Sequence, residues 1–301
     1  MVTFIDGNWV ADEQATVSVR ARALNYGLGC FGGVRGYLAD DGEQVNVFRL
    51  DAHVRRLDES SKILCLPMPI SRADLSSAVI ELLRRNQVHT DIYVRPMVIS
   101  KAPELAPLLR DQDASIIIWC MPLKRYIDKD MIDVCVSSWR RVSDNALPSR
   151  TKPIGGYVNS ALARREAHDN GYDEAIFLTE RGTVSEGSAE HVFVIRDGVL
   201  FSPPSTEDNL DGITRKSIIA MAGDLGLPFV ERVIGRTELY VADEMFLCGT
   251  GAQVTPVRSV DRRKVGEGQV GPITRQIHKY FDDIVHGRVP ERREWLTPVW
   301  G

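Results

Sequence analysis

Hydrophobic and polar positions follow two periods along this chain, and the switches between them mark out its elements. "FIDGNWV" sets a Gly turn between apolar residues and predicts an opening hairpin, while "QVNVFRL" and "DIYVRPMVIS" alternate with the period of a strand. Between them, Val54, Leu57 and Leu64 share one helical face behind Asp51, a candidate N-cap. Ser71 and Asp74 resemble a capping box ahead of Leu75, Val79, Leu82 and Leu83. "ASIIIWCM" is a continuous apolar run, expected as a buried strand ending near Met121. "PLKRYIDKD" then loses all periodicity, which predicts a linker.

The second half opens on a strand, "DVCVSSWRR", and a helix is expected from about Asn159 to Asp169, stopped by Gly171. Strands follow at "EAIFLTERG" and "EHVFVIRDGVLFSP", the latter folded at Asp197 and Gly198 as a hairpin. "DGITRKSIIAMAGDLGLP" predicts a helix with Ile213, Ile218, Met221 and Leu225 inward. The strand "EMFLCGTGAQV" runs into a Gly-rich turn. Pro272 opens a last helix that places Ile273, Ile277, Phe281 and Ile284 on one face. Both halves mix strands and helices, so two α/β units are expected: a small N-terminal one over 1–120, a linker over 121–130 and a large one over 131–301.

Composition narrows the function classes. At 301 residues the chain exceeds the usual size of one core, and with 44% hydrophobic and 26% charged residues it has the make-up of a globular protein. The net charge of −4 is spread rather than blocked, and no run of Lys and Arg tracks a nucleic-acid backbone. The N-terminus has early acidic residues and no long apolar segment, so neither a signal peptide nor a membrane span is expected, and a cytoplasmic location follows. The five cysteines are odd in number and lack a CxxC pair, and the six histidines are dispersed. Reduced packing cysteines and no metal site are expected.

"GLGCFGG" satisfies G-x-G-x-x-G at Gly27, Gly29 and Gly32, but a dinucleotide site needs a strand before that motif and a helix after it. Neither flank, "RARALNY" or "VRGYLADDGEQ", reads that way. Four other stretches carry more chemistry together than apart. Lys152, in "TKPIGGY", lies where a strand has ended and a helix is about to begin; alone it has the character of a solvated lysine. Glu186, in "TVSEGSAEHVF", is a carboxylate among small residues that let a flat ligand approach. In "LDGITRKS", Ile213 and Thr214 fall at a helix N-terminus, where free amides favour a phosphate, although Thr214 also suits a plain cap. Gly249, Thr250 and Gly251 follow a strand and offer amides and a hydroxyl to the same anion. A lysine, a carboxylate and two phosphate-cradling turns are what pyridoxal 5'-phosphate (PLP) requires: a Schiff-base amine, an acceptor for the pyridine N–H, and anion donors.

The run "SEGSAEHVFVIRDGVLFSPPSTEDNLDGITR" resembles the signature of the class IV aminotransferases, the fold-type IV PLP enzymes, with the branched-chain amino acid aminotransferases nearest. "LNYGLGCFGGVRGY", "VFRLDAHVRRL", "YVRP", "KPIGGY" and "GTGAQVTPVRSVD" fall in the family's order, so the resemblance covers almost the whole chain. It implies a fold like that of D-amino acid aminotransferase: an α+β small domain and an α/β large domain with a mixed, barrel-like sheet. It implies that Lys152 binds PLP covalently and moves the substrate proton. Tyr157 would hydrogen-bond the ring oxygen and Glu186 the pyridine nitrogen. Arg49, Ile213, Thr214, Gly249 and Thr250 match the phosphate cup; without the family match Arg49 reads as a helix-flanking charge.

Tyr26, Phe31, Arg35, Tyr93 and Arg95 align with pocket-lining residues, and Thr250, Gly251 and Ala252 with the turn that receives the α-carboxylate. Tyr93 and Arg95 share one face of an alternating strand, a pattern that packing at the domain seam would equally produce. Three positions depart from the family's pattern: His191 stands where Asn is usual, Gly32 where branched-chain members often carry an acid, and 100–111 lacks their Gly-containing loop. The last two bear on which substrate fits, while at His191 an imidazole is expected to remake the hydrogen bond of the loop after Glu186 and cofactor binding to survive. The expected activity is ping-pong transfer of an amino group from a branched or hydrophobic L-amino acid to 2-oxoglutarate, in a homodimer. A D-amino acid or (R)-amine transaminase, or an aminodeoxychorismate lyase, would use the same cup; a catalytically silent PLP-binding homologue would not need Lys152, Glu186 and Tyr157 together.

Overall fold

The computed structural model describes residues 1–109, 114–124 and 126–301. Asp6 and Gly7 both take positive φ and turn β1 (Val2–Ile5) back onto β2 (Asn8–Ala11), giving the hairpin its sequence predicts. A five-residue helix, α1 (Arg22–Tyr26), leads into β3 (Gly29–Phe31), β4 (Val34–Leu38) and β5 (Val45–Phe48). The Gly-rich motif therefore spans a helix end and a strand start, the reverse of a dinucleotide fingerprint.

Helix α2 (Leu50–Ile63) starts at Arg49, an N-cap in the left-handed region at φ 53°, and not at Asp51, which pairs instead with Arg55 one turn on. Helix α3 (Arg72–Arg85) starts as expected: Ser71 Oγ accepts the Asp74 amide. Strands β6 (Ile92–Ser100) and β7 (Ala114–Pro122) pair along their whole length. Burial alternates along the first half of β6. Ile92, Val94 and Val98 join Cys30, Val34, Ile116 and Ile118 in one core with Val54, Leu57, Val79 and Leu82 of the two helices. Each fully buried Leu or Ile there contributes about 1.5–3 kcal/mol.

After β7 come β8 (Ile132–Arg140), α4 (Tyr157–Asp169), β9 (Glu174–Leu178), β10 (Val184–Gly187), β11 (His191–Arg196), β12 (Val199–Ser202), α5 (Ile213–Asp224) and β13 (Phe229–Glu231). The chain continues through β14 (Glu244–Gly249), β15 (Gln253–Val260), β16 (Arg263–Lys264), α6 (Pro272–Val285) and β17 (Leu296–Pro298). Helix α4 begins two residues before its predicted start. The Asn159 side-chain amide accepts from Val142 N–H and donates to the Arg140 carbonyl. In α5, Ile213, Ile218 and Met221 are buried as expected, whereas Leu225 is the half-buried C-cap.

Two compact units result. The first spans Met1–Lys124, Thr151–Gly155 and Asp283–Gly301; the second spans Arg125–Arg150 and Gly156–Asp282. The sequence reading kept 131–301 together, but β17 pairs with β5, so the C-terminal segment completes the first sheet. That sheet is antiparallel throughout, in the order β17-β5-β4-β6-β7-β1-β2 with β3 beside β6. The second sheet is mixed and curled, in the order β10-β9-β8-β15-β14-β11-β12-β13, with parallel pairs at β8/β9, β8/β15 and β12/β13.

Candidate functional site

Lys152 owes its place to backbone pairing. Phe31 N–H donates to the Lys152 carbonyl at 3.3 Å, Ile154 N–H to Gly29 O at 2.9 Å and Gly155 N–H to Gly27 O at 3.2 Å, so 152–155 lies antiparallel along β3. Gly27 has φ +67°, and a Cβ there would stand 2.7 Å from Gly155 Cα. The glycines that imitate a dinucleotide motif thus make room for the lysine segment. Lys152 itself holds φ +48°, a conformation that costs a non-glycine residue about 1 kcal/mol or more and persists where the surroundings enforce it. Its Nζ lies 5.4 Å from the centre of the Phe31 ring.

The face of the first sheet opposite its core continues from that ring. Arg95 lies over Phe31, Tyr93 and Trp119 at 4.5, 5.1 and 5.4 Å, and donates to the Tyr93 hydroxyl from Nε at 3.1 Å and Nη2 at 2.7 Å. Register explains the grouping: Arg95 pairs with Trp119 and Phe31 with Met97, so their side chains rise on one face. Phe31, Tyr93 and Arg95 are therefore brought together. Arg35 is not part of that group. It is 1% exposed, donates from Nη2 to the Leu123 and Lys124 carbonyls and lies 3.5 Å from Asp91. Tyr26 is exposed at the end of α1. Positions 110 and 111 of the departing loop lie outside the described residues.

Arg49 is half-buried, with its guanidinium stacked 4.6 Å over Trp295. Burial draws it below the ordinary arginine value, and the neighbouring Glu294 partly offsets this. One turn along α2, His53 is held well below the usual imidazole value by burial, reinforced by the positive charges of Arg56, Lys152 and Arg49. Sequence periodicity gave no sign of this buried, neutral imidazole.

In the second unit, Glu186 stands on β10 and is clamped from two directions. Arg141 Nη2 pairs with Oε1 at 2.9 Å, and Leu210 N–H donates to Oε2 at 3.2 Å. Arg141 also donates to the Asp208 carbonyl at 3.4 Å and stacks 5.7 Å over Phe177. The sequence reading missed Arg141 and Trp119. A buried carboxylate demands a cation, and the tandem arginines closing "SSWRR" were the available signal. Tyr157 is half-buried at the first position of α4.

Helix α5 begins at Ile213 and Thr214, each 4% exposed, behind an N-cap, Gly212, that offers no side-chain hydrogen bond. A buried helix N-terminus without a side-chain cap is a cradle for an anion such as phosphate. Gly249 closes β14 against the Ala189 carbonyl, and Thr250, Gly251 and Ala252 form the turn into β15. The Tyr126 ring packs on Gly251, and Thr255 Oγ donates to Ala252 O at 2.8 Å. Among the described residues, no group of His, Cys, Asp and Glu is placed to hold a metal ion, and no helix is long and apolar enough to cross a membrane.

The family model for amino-transferase class IV matches residues 29–260. The "Probable branched-chain-amino-acid aminotransferase" of Aquifex aeolicus is 40% identical over 299 residues, which are 99% of this chain and 96% of that protein. The branched-chain aminotransferase of Thermoproteus uzoniensis, solved with norvaline, superposes with a TM-score of 0.96 at 42% identity, over 100% of this chain and 99% of that one. The branched-chain amino acid aminotransferase of Thermobaculum terrenum in its PLP form gives 0.94 at 37% identity, over 100% and 98%.

Proposed function

Because the chain belongs to the class IV aminotransferases, we propose that it is a PLP-dependent branched-chain amino acid aminotransferase, moving the amino group of a branched or hydrophobic L-amino acid to 2-oxoglutarate by a ping-pong route. Bound PLP supplies an electron sink conjugated to the substrate Cα. Lys152 Nζ would be the covalent anchor for that group and, when free, would hold and return the substrate Cα proton as base and then acid. Glu186, fixed by Arg141 and the Leu210 amide, accepts the pyridine N–H. Tyr157 hydrogen-bonds the ring oxygen. The amides of Ile213 and Thr214 with Arg49, Gly249 and Thr250 bind the phosphate.

Arg95, Tyr93 and Phe31 form the wall that meets the substrate side chain, and the turn Thr250–Gly251–Ala252 receives the α-carboxylate. The protein acts as a homodimer in the cytoplasm. The observation that carries this reading is near-full-length identity of 40% and 42% to branched-chain aminotransferases, joined to a donor set that suits PLP. The test is the visible absorbance of the purified holoenzyme. L-leucine should bleach the cofactor band and 2-oxoglutarate restore it, whereas D-alanine and (R)-1-phenylethylamine should do neither. A protein that ignores L-leucine and answers to either of the other donors has a different substrate.

A further inference from the structure

His191 is the first residue of β11, five positions after Glu186, and has no part in the roles assigned above. Its side chain is 6% exposed. On one edge Nδ1 lies 3.8 Å from Glu186 Oε2, opposite the oxygen that Arg141 holds. On the other edge the ring lies against Gly212. A Cβ at Gly212 would stand 1.9 Å from Nε2 and 2.4 Å from Cδ2 of His191. Gly212 has φ −74° and ψ 132°, which any residue adopts, so the imidazole and not the backbone excludes a side chain there.

We propose that His191 is a positioning residue that ties together the two ends of the cofactor site within this unit, one edge of its ring backing the Glu186 carboxylate and the other setting the start of α5. The proposal rests on the assignment of Glu186 to the pyridine nitrogen and of Ile213 and Thr214 to the phosphate. At 3.8 Å the Nδ1 contact is too long for a hydrogen bond, so the imidazole acts by bulk and by its electrostatic field, limiting the swing of Oε2. Removing the ring opens space on both sides at once. The carboxylate and the helix start then loosen together, and effects at Gly212 and His191 depend on each other.

A double-mutant cycle tests this. Apo-protein carrying His191→Ala, Gly212→Ala or both is titrated with PLP, followed by the visible band, and separately with inorganic phosphate, followed by the rise in Tm. Gly212→Ala should weaken PLP binding at least about thirtyfold beside His191 but less than about threefold beside His191→Ala, a coupling of tenfold or about 1.4 kcal/mol. The phosphate-induced rise in Tm should follow the same pattern. His191→Asn keeps a polar group near the Nδ1 position and should keep the wild-type absorbance maximum, whereas His191→Ala should shift it. A merely structural histidine would move neither spectrum.

Equal cost of Gly212→Ala in both backgrounds, or a His191→Ala protein with wild-type affinity and absorbance maximum, would overturn the proposal. If His191→Ala does not fold, His191→Asn carries the cycle with a coupling of at least about threefold, since it lacks Nε2 and Cε1. Glu186→Gln and Thr214→Val run alongside. Unchanged PLP affinity and absorbance maximum in both would overturn the site assignment instead, a result distinct from additivity between His191 and Gly212.

Discussion

Arg95 and Arg141 each carry a guanidinium to a functional surface and hold it by different means. Arg141 is 14% exposed and ion-paired with Glu186 at 2.9 Å, so its charge is matched within the protein. Arg95 is half-buried against three aromatic faces and the Tyr93 hydroxyl, and among the described residues it pairs with no carboxylate. A cation held by ring faces keeps its attraction for an incoming anion and tolerates an apolar group beside it. In the proposed roles, the Arg141 arrangement serves the cofactor step that every substrate shares. The second is suited to two substrates that differ in charge, a branched amino acid and a dicarboxylic 2-oxo acid.

The largest expected effect is at Lys152. Lys152→Ala is expected to abolish covalent attachment of PLP, read as loss of label after borohydride reduction and peptide mapping, and to lower turnover by about 10⁴-fold or more. Next, Glu186→Gln keeps the shape of the clamp and removes its charge. We expect kcat to fall about 100-fold for every donor and acceptor alike, with KM nearly constant, because the lost interaction belongs to the shared step.

Arg95→Gln should separate substrates instead. Losing a charged partner costs about 1.5–3 kcal/mol at a buried contact. We expect KM for 2-oxoglutarate to rise at least about tenfold, with the half-reaction of L-leucine changing less than about threefold. Equal losses on both substrates would erase the distinction between the two arginines.

How far such features were legible depends on how local their causes are. Ser71 and Asp74 announced α3, and Asp197–Gly198 the β11–β12 hairpin, because a cap or a turn is written in four residues. The Gly212–Thr214 helix start was readable for the same reason, whereas Glu186, expected in a turn of small residues, lies on β10. Arg49 as a left-handed N-cap was not, since no side-chain cap marks it and Trp295, whose carbonyl takes its amide, is far along the chain. Arg35 aligns with the pocket in sequence, but it is buried and its Nη2 donates to the Leu123 and Lys124 carbonyls, 88 and 89 positions away. The return of β17 to β5 likewise rests on a pairing between distant segments. The role of "YGLGCF" in seating Lys152 needed both strands in view.

The smallest expected effect concerns stability, at the buried imidazole of His53. His53 is buried, and burial together with Arg56, Lys152 and Arg49 keeps it neutral in the folded protein. In the unfolded chain its imidazole has the ordinary value of 6.5. Below that pH the unfolded state binds a proton that the folded state refuses, so stability is complete above 6.5 and falls as the pH drops. This one group should cost about 1 kcal/mol between pH 6.5 and 5.5. The measurement is denaturant unfolding of the apo-protein across that range, compared with His53→Gln, whose side chain does not titrate. The wild-type curve should fall more steeply by that amount. Parallel curves would mean that the imidazole accepts a proton in place, and that the cations around Lys152 are better separated from His53 than their mutual repulsion requires.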